Sequence, residues 1–118
     1  MYRYEAGFIG AGSMGGALAE AAVKGAGAEK VAVSCSTPLS TQRAAVRIGC
    51  AAATAQEVLR ESRYVFLGVK PQMIEDVAAA LAPDIRESGA VFVSMLAGVT
   101  LARLEELLGE KKIIRIMP

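Results

Sequence analysis

The chain has 118 residues, the usual size of one domain, and a chain of that length buries roughly two-thirds of its unfolded surface on folding. Thirteen Lys and Arg against twelve Asp and Glu leave a net charge of +1 with no basic block, so the electrostatic footprint of a polynucleotide-binding protein is missing. The sequence has no histidine, which excludes His general bases, His-activated nucleophiles and His metal ligands.

The hydrophobic fraction is 53% but the aromatic fraction only 5%, so Val, Ile, Leu and Ala must build the core. In chain order, strands are predicted at 4–9 (YEAGFI), 30–34 (KVAVS), weakly at 50–53 (CAAA), and at 64–69 (YVFLGV), 90–95 (AVFVSM) and 112–117 (KIIRIM). Their apolar, β-branched centres suit strands buried on both faces. Between them, 13–25, 39–48, 54–61, 72–82 and 100–108 read as helices. Thr54 and Thr100 stand at N-cap positions, Thr54 with Glu57 spells a capping box, and Gly49 and Gly109 stand near C-caps. Strands alternating with short helices imply right-handed crossovers and a single α/β domain. That domain is a doubly wound parallel sheet of about six strands with helices on both faces. In such a sheet the ligand crevice lies beyond the carboxyl ends of the strands, so functional residues are expected after each strand.

Cys35 and Cys50 lack C-x-x-C spacing and the density of a disulfide scaffold, which fits packing residues in a reducing compartment. The N-terminus has no apolar signal region, and the longest uncharged run, Ser88 to Ala102, is shorter than the roughly 20 residues needed to span a bilayer. These features predict a soluble cytoplasmic protein with no nucleic-acid or membrane partner and no metal site.

Gly10-Ala11-Gly12-Ser13-Met14-Gly15 fits G-x-G-x-x-G between a predicted strand and a predicted helix, the context that a dinucleotide-binding loop requires. Gly10 permits the tight turn, Gly12 lets backbone N–H groups approach a pyrophosphate, and Gly15 lets helix and strand pack closely. The N-terminus of the following helix adds a favourable field for phosphate. An NAD-preferring site usually carries an Asp or Glu at the end of the second strand, to bond the ribose 2′-OH. Here that stretch reads VSCSTP, without a carboxylate, and Glu29 precedes the strand at the wrong end of the sheet. Ser34, Ser36 and Thr37 offer hydroxyls instead, and Arg43 on the next helix is a candidate for the 2′-phosphate, so NADP(H) is preferred while NAD(H) stays open. The same stretch also reads as a polar capping loop with Arg43 a solvated charge.

After the fourth strand, GVKPQ places Lys70 and Gln72 at the crevice, with Pro71 suited to a first helical turn. Lys70 reads either as a ligand for phosphate, ribose or an anionic substrate, or as a solvated strand-end lysine. SMLAGVT, after the fifth strand, has small residues that leave room for a flat ring, or that simply make a tight turn.

GFIGAGSMGGAL, SCSTP, VKPQ, SMLAGVT and the terminal IIRIMP, in that order, resemble the N-terminal half of the pyrroline-5-carboxylate reductase family along the whole chain. The glycine fingerprint is shared by many dehydrogenases; VKPQ followed by AGVT and RIMP is far more specific. The resemblance implies a Rossmann-type NAD(P)H domain here, followed in the family by a helical domain that makes the homodimer and much of the substrate pocket. On this resemblance residues 1–118 form the NADP-binding domain, and the chain stops just before residues expected to line the active site.

Carried over, the resemblance puts Gly10, Gly12, Ser13, Met14 and Gly15 on the pyrophosphate loop and Ser34, Cys35, Ser36 and Thr37 around the 2′-phosphate. It puts Val69, Lys70, Pro71 and Gln72 on the ribose and nicotinamide side, Ala97 and Gly98 beside the nicotinamide, and Met117 and Pro118 toward the substrate. Met95-Leu96 stands where the family more often has small residues. The implied reaction is hydride transfer from NADPH to the C=N carbon of 1-pyrroline-5-carboxylate, giving proline. A protonated cyclic imine accepts hydride without a strong general acid, so the lack of histidine is no obstacle, and Lys70 would give electrostatic support. The rivals are another NADP-dependent reductase, of the β-hydroxyacid dehydrogenase or F420-dependent NADP reductase type, and a non-catalytic NADP(H)-sensing module.

Overall fold

The computed structural model describes residues 2–116. Met117 and Pro118, expected near the substrate, lie outside the described residues. Six strands, β1 (Tyr4–Ile9), β2 (Val31–Ser34), β3 (Ala51–Ala52), β4 (Ser62–Leu67), β5 (Val91–Ser94) and β6 (Ile113–Arg115), form one sheet. The order is β3-β2-β1-β4-β5-β6 and every pairing is parallel. This is the doubly wound arrangement expected from the βα alternation, with its direction reversing between β1 and β4.

The helices are α1 (Ser13–Ala26), α2 (Pro38–Ile48), α3 (Ala55–Glu61), α4 (Ile74–Ala80), α5 (Ala82–Glu87) and α6 (Leu101–Leu108). Short 3-10 turns at Ala28–Lys30 and Pro71–Met73 precede β2 and α4. Two layers of core follow from the winding. Phe8, Val31 and Val33 project to the face covered by Ala19 of α1 and Ala44, Ala45 and Ile48 of α2. On the other face Ile9, Val65, Leu67 and Phe92 meet Val58 and Leu59 of α3, with Ile74, Ile85 and Leu104 of the later helices. Phe8 and Phe66, partners across β1 and β4, stack with ring centroids 4.5 Å apart.

The caps follow the sequence. Thr54 accepts from the Glu57 N–H and Glu57 Oε1 accepts from the Thr54 N–H, the predicted box, and Thr100 caps α6 through the Arg103 N–H. A further box, Thr37 with Ser40, caps α2. Gly7, in mid-β1, lets α3 lie directly on the sheet, because a Cβ there would run into Ser62 Oγ and come within 2.6 Å of Val58 Cγ1.

Three elements depart most from the sequence reading. β4 runs from 62 to 67 rather than 64 to 69, since Ser62 pairs with Tyr4 while Gly68 is drawn into the turn facing Gly10. The single helix expected over 72–82 is a 3-10 turn followed by α4, and the chain then bends at Leu81 (φ −105°, ψ 11°) and continues as α5. Pro83 suits the first turn of α5 but not a continuous helix, since it offers no N–H to the turn behind and its ring crowds the carbonyl four residues back. β6 covers Ile113–Arg115, a shorter span than the predicted 112–117.

The two cysteines flank paired strands. Ala32 pairs with Ala51 and Val33 with Ala52, so Cys35 directly follows β2 and Cys50 directly precedes β3. Both are partly buried against the α1–α2 face, as packing residues. No helix among the described residues is long and apolar enough to cross a membrane.

Candidate dinucleotide-binding site

The site begins where β1 meets β4. Gly10 turns the chain with φ +88°, and its N–H donates to the Ser34 carbonyl at 2.8 Å while the Gly68 N–H donates to the Ile9 carbonyl at 2.8 Å. Three glycines converge there. A Cβ on Gly10 would stand 2.6 Å from the Gly68 carbonyl carbon, and Cβ atoms on Gly15 and Gly68 would stand 2.8 and 2.7 Å from the Gly10 carbonyl oxygen. None of these atoms can yield, because all are backbone. Gly10 thus makes the tight turn and Gly15 the close approach of helix to strand, and Gly68 is a third member that the fingerprint does not include.

Gly12 differs. A Cβ placed on it meets no atom within 4 Å, so no protein packing accounts for a glycine at this position. It is the N-cap of α1 and has no side chain to cap with, Ser13 and Met14 follow as the first helical residues, and the first turn carries no acidic residue. The unpartnered N–H groups of that turn, with the positive end of the helix dipole, form a seat for an anion.

Beside it, a cavity of about 420 Å³ separates the Ser34–Thr37 turn after β2 from Ala52–Thr54 after β3. Several of its hydroxyls are already engaged. Thr41 Oγ1 accepts from the Cys35 N–H at 2.9 Å and donates to the Thr37 carbonyl, while Thr37 Oγ1 accepts from the Ser40 N–H. These bonds hold the turn in shape. Arg43 is exposed on α2 and is not among the residues lining the cavity, whereas its neighbours Thr41 and Gln42 are. One carboxylate does line it, that of Glu57, contributed by α3 rather than by the end of β2. The bond from the Thr54 N–H, then the Thr54 hydroxyl, hold this carboxyl below its ordinary pKa, so it is ionised.

A second cavity, about 250 Å³, opens between the turns after β4 and β5. Pro71 and Gln72 line it from one side and Gly98 (φ +74°) and Thr100 from the other, and the Arg103–Glu75 ion pair, 3.2 Å, forms part of its wall. Of the residues predicted on the nicotinamide side, Pro71, Gln72 and Gly98 come together here. Val69 packs into the core, and Lys70 and Ala97 are exposed and do not line the cavity. Met95 and Leu96, the departure from the family pattern, are both buried on opposite faces of the sheet, with the Met95 methyl close beneath Gly68 and Gly15.

Sequence reasoning missed Arg47. From the last turn of α2 its Nη2 donates to the Ala11 carbonyl at 3.2 Å, across a separation of 36 residues that no local pattern signals.

A doubly wound sheet whose glycine turn sits at its switch point, followed by an open helix N-terminus, defines a dinucleotide-binding domain of the Rossmann type. The chain belongs to the family described as "NADP oxidoreductase coenzyme F420-dependent", which matches residues 5–98. The expected likeness to pyrroline-5-carboxylate reductases is also found. The enzyme of that name from Glycine max is 36% identical, over 98% of this chain and 43% of the relative. Among solved structures, 1-pyrroline-5-carboxylate reductase from Streptococcus pyogenes superposes with a TM-score of 0.79 at 28% identity, covering 96% of this chain and 42% of that one. Pyrroline carboxylate reductase from Plasmodium falciparum, solved with NADP bound, gives 0.76 at 24% identity, covering 100% and 43%, and supports the fold. The chain therefore spans about two-fifths of the length of these relatives.

Proposed function

We propose that residues 1–118 are the NADP(H)-binding domain of a pyrroline-5-carboxylate reductase, and that the helical substrate and dimerisation domain of that family lies outside this segment. The observation that carries the cofactor reading is Gly12, a glycine with open space where its side chain would be, at the head of α1. Packing gives no reason for a glycine there, whereas close approach of a pyrophosphate does. The residues present fit the group: Gly10 and Gly15 shape the loop, and Gly12, Ser13 and Met14 offer backbone at the phosphates. Ser34 to Thr37 would border the adenosine side, where β2 ends without a carboxylate. This favours NADP(H), with the ionised Glu57 across the cavity as the one acidic neighbour.

Pro71, Gln72 and Gly98 would border the nicotinamide, with Val69, Lys70 and Ala97 beside them. When bound, the reduced nicotinamide supplies a hydride, which the C=N carbon of a small cyclic imine accepts. The chain's own part is to bind and orient the ring and to keep the imine at its face, since orientation alone contributes a large share of such a barrier. Lys70, exposed at the crevice rim, would add positive charge near the anionic substrate or a cofactor phosphate.

The family description supports a second reading, an oxidoreductase that couples NADP to coenzyme F420. VKPQ and RIMP favour the imine reading. Assays of the longest natural form carrying this segment, with NADPH and 1-pyrroline-5-carboxylate, a β-hydroxyacid or coenzyme F420, separate the two. Turnover is expected with the imine alone; turnover with F420 or the hydroxyacid and none with the imine would overturn the substrate reading.

A further inference from the structure

Glycine loops hold phosphate through backbone N–H groups, and a backbone N–H is useful only when its peptide plane faces the right way. The peptide joining Ala11 and Gly12 is trans, as all peptide bonds among the described residues are, so its carbonyl and its N–H point in opposite directions. Arg47 holds that carbonyl at 3.2 Å. The Gly12 N–H is thereby turned away from the guanidinium.

Without such a tie this peptide is easily flipped. Gly12 has no side chain, nothing packs within 4 Å of where one would be, and a glycine crosses to positive φ at little cost. The rest of the local design keeps the tie in place. Gly16 leaves the guanidinium room across the first turn of α1, since a Cβ there would stand 3.3 Å from Arg47 Nη2 and 3.7 Å from the Ala11 carbonyl oxygen. The ion pairs among the described residues all use other arginines, which leaves the peptide oxygen as the partner of Arg47. A charged donor on the carbonyl also polarises the peptide, making its N–H a stronger donor to an anion.

We propose that Arg47 is a positioning residue for the dinucleotide pyrophosphate: it locks the Ala11–Gly12 peptide with the Gly12 N–H presented to the phosphate. The proposal rests on the dinucleotide reading above. Its test is equilibrium binding of NADPH, NADH and adenosine 2′-monophosphate to the wild-type chain and to Arg47→Met and Arg47→Lys. Only the first two ligands carry a pyrophosphate.

In Arg47→Met, NADPH and NADH should both weaken by about tenfold, the scale of one charge-assisted hydrogen bond, while the monophosphate binds as in the wild type. Arg47→Lys keeps a charged donor with a shorter reach, so it should lose less, and again only toward the dinucleotides. That arm tests the proposal even if Arg47→Met fails to fold. Wild-type dinucleotide affinity in both variants, or an equal loss toward the monophosphate, would overturn the positioning role alone. A wild-type chain that binds neither dinucleotide would overturn the dinucleotide reading and this proposal with it.

Discussion

Replacing Gly12 by alanine separates a phosphate cradle from a packing turn, because folding and binding respond differently. The backbone of Gly12, at φ −73° and ψ −161°, is open to alanine, and the new methyl would meet no protein atom within 4 Å. Loss of backbone freedom in the unfolded chain stabilises such a Gly→Ala change by about 0.4–1 kcal/mol. Alanine is a poorer N-cap than glycine by a comparable amount. The two terms offset, and at about 4 °C per kcal/mol for a chain of 118 residues the melting temperature should move by less than about 2 °C. Binding is another matter, since the methyl occupies the space the pyrophosphate needs. An overlap of one methyl in a close-packed contact costs about 1–3 kcal/mol, or roughly 5- to 150-fold in Kd. Thermal melts with and without NADPH, beside a fluorescence titration, read both quantities. Gly12→Ala with wild-type NADPH affinity would refute the pyrophosphate role of the loop, and a fall of several degrees in Tm without ligand would show that the methyl does meet protein.

Gly10→Ala should behave in the opposite way: φ +88° and backbone atoms at 2.6 and 2.7 Å from the added Cβ predict a loss of at least about 2 kcal/mol, seen as a fall of roughly 8 °C or more in the melt. Lys70→Ala, with an exposed side chain, should leave the melt within about 2 °C while NADPH affinity or turnover falls about three- to tenfold; wild-type values for both would remove Lys70 from the site. Burial, then the nearby Cys35, pushes the Cys50 thiol from an ordinary 9.0 up to about 11, so at pH 8 its alkylation in the folded protein should be roughly a hundredfold slower than in the unfolded chain, as followed by peptide mass mapping. Because the folded value lies above the unfolded one, this group favours the folded state most fully below pH 9, and that contribution should fade as pH rises from 9 toward 11 in equilibrium unfolding.

Much of this architecture is legible in the sequence because its signals are local. Apolar runs mark the buried parallel strands, Thr54, Thr100 and Gly49 mark helix ends, and the glycine fingerprint lies between a strand and a helix. What was hidden depends on distant residues. The start of β4 at the polar Ser62 is set by pairing with Tyr4, and the withdrawal of Gly68 from that strand by the carbonyl of Gly10. Pro83, one residue past the predicted 72–82 helix, marks the break between α4 and α5 through its missing N–H. Arg43 was a reasonable candidate by spacing, yet the helix leaves it exposed off the cavity and sends Arg47 to the glycine loop instead. Glu57 enters the cavity between the turns after β2 and β3 for a similar reason: its capping role is local, but the cavity it lines is made by tertiary packing.

Parallel titration of the 118-residue chain with NADPH and NADH, followed by nicotinamide fluorescence, tests the cofactor assignment most directly. Binding of both with NADPH tighter by about tenfold or more is expected from a glycine cradle beside a carboxylate-free β2 turn. Tighter binding of NADH would contradict the 2′-phosphate assignment of Ser34 to Thr37, and binding of neither would contradict the cradle itself.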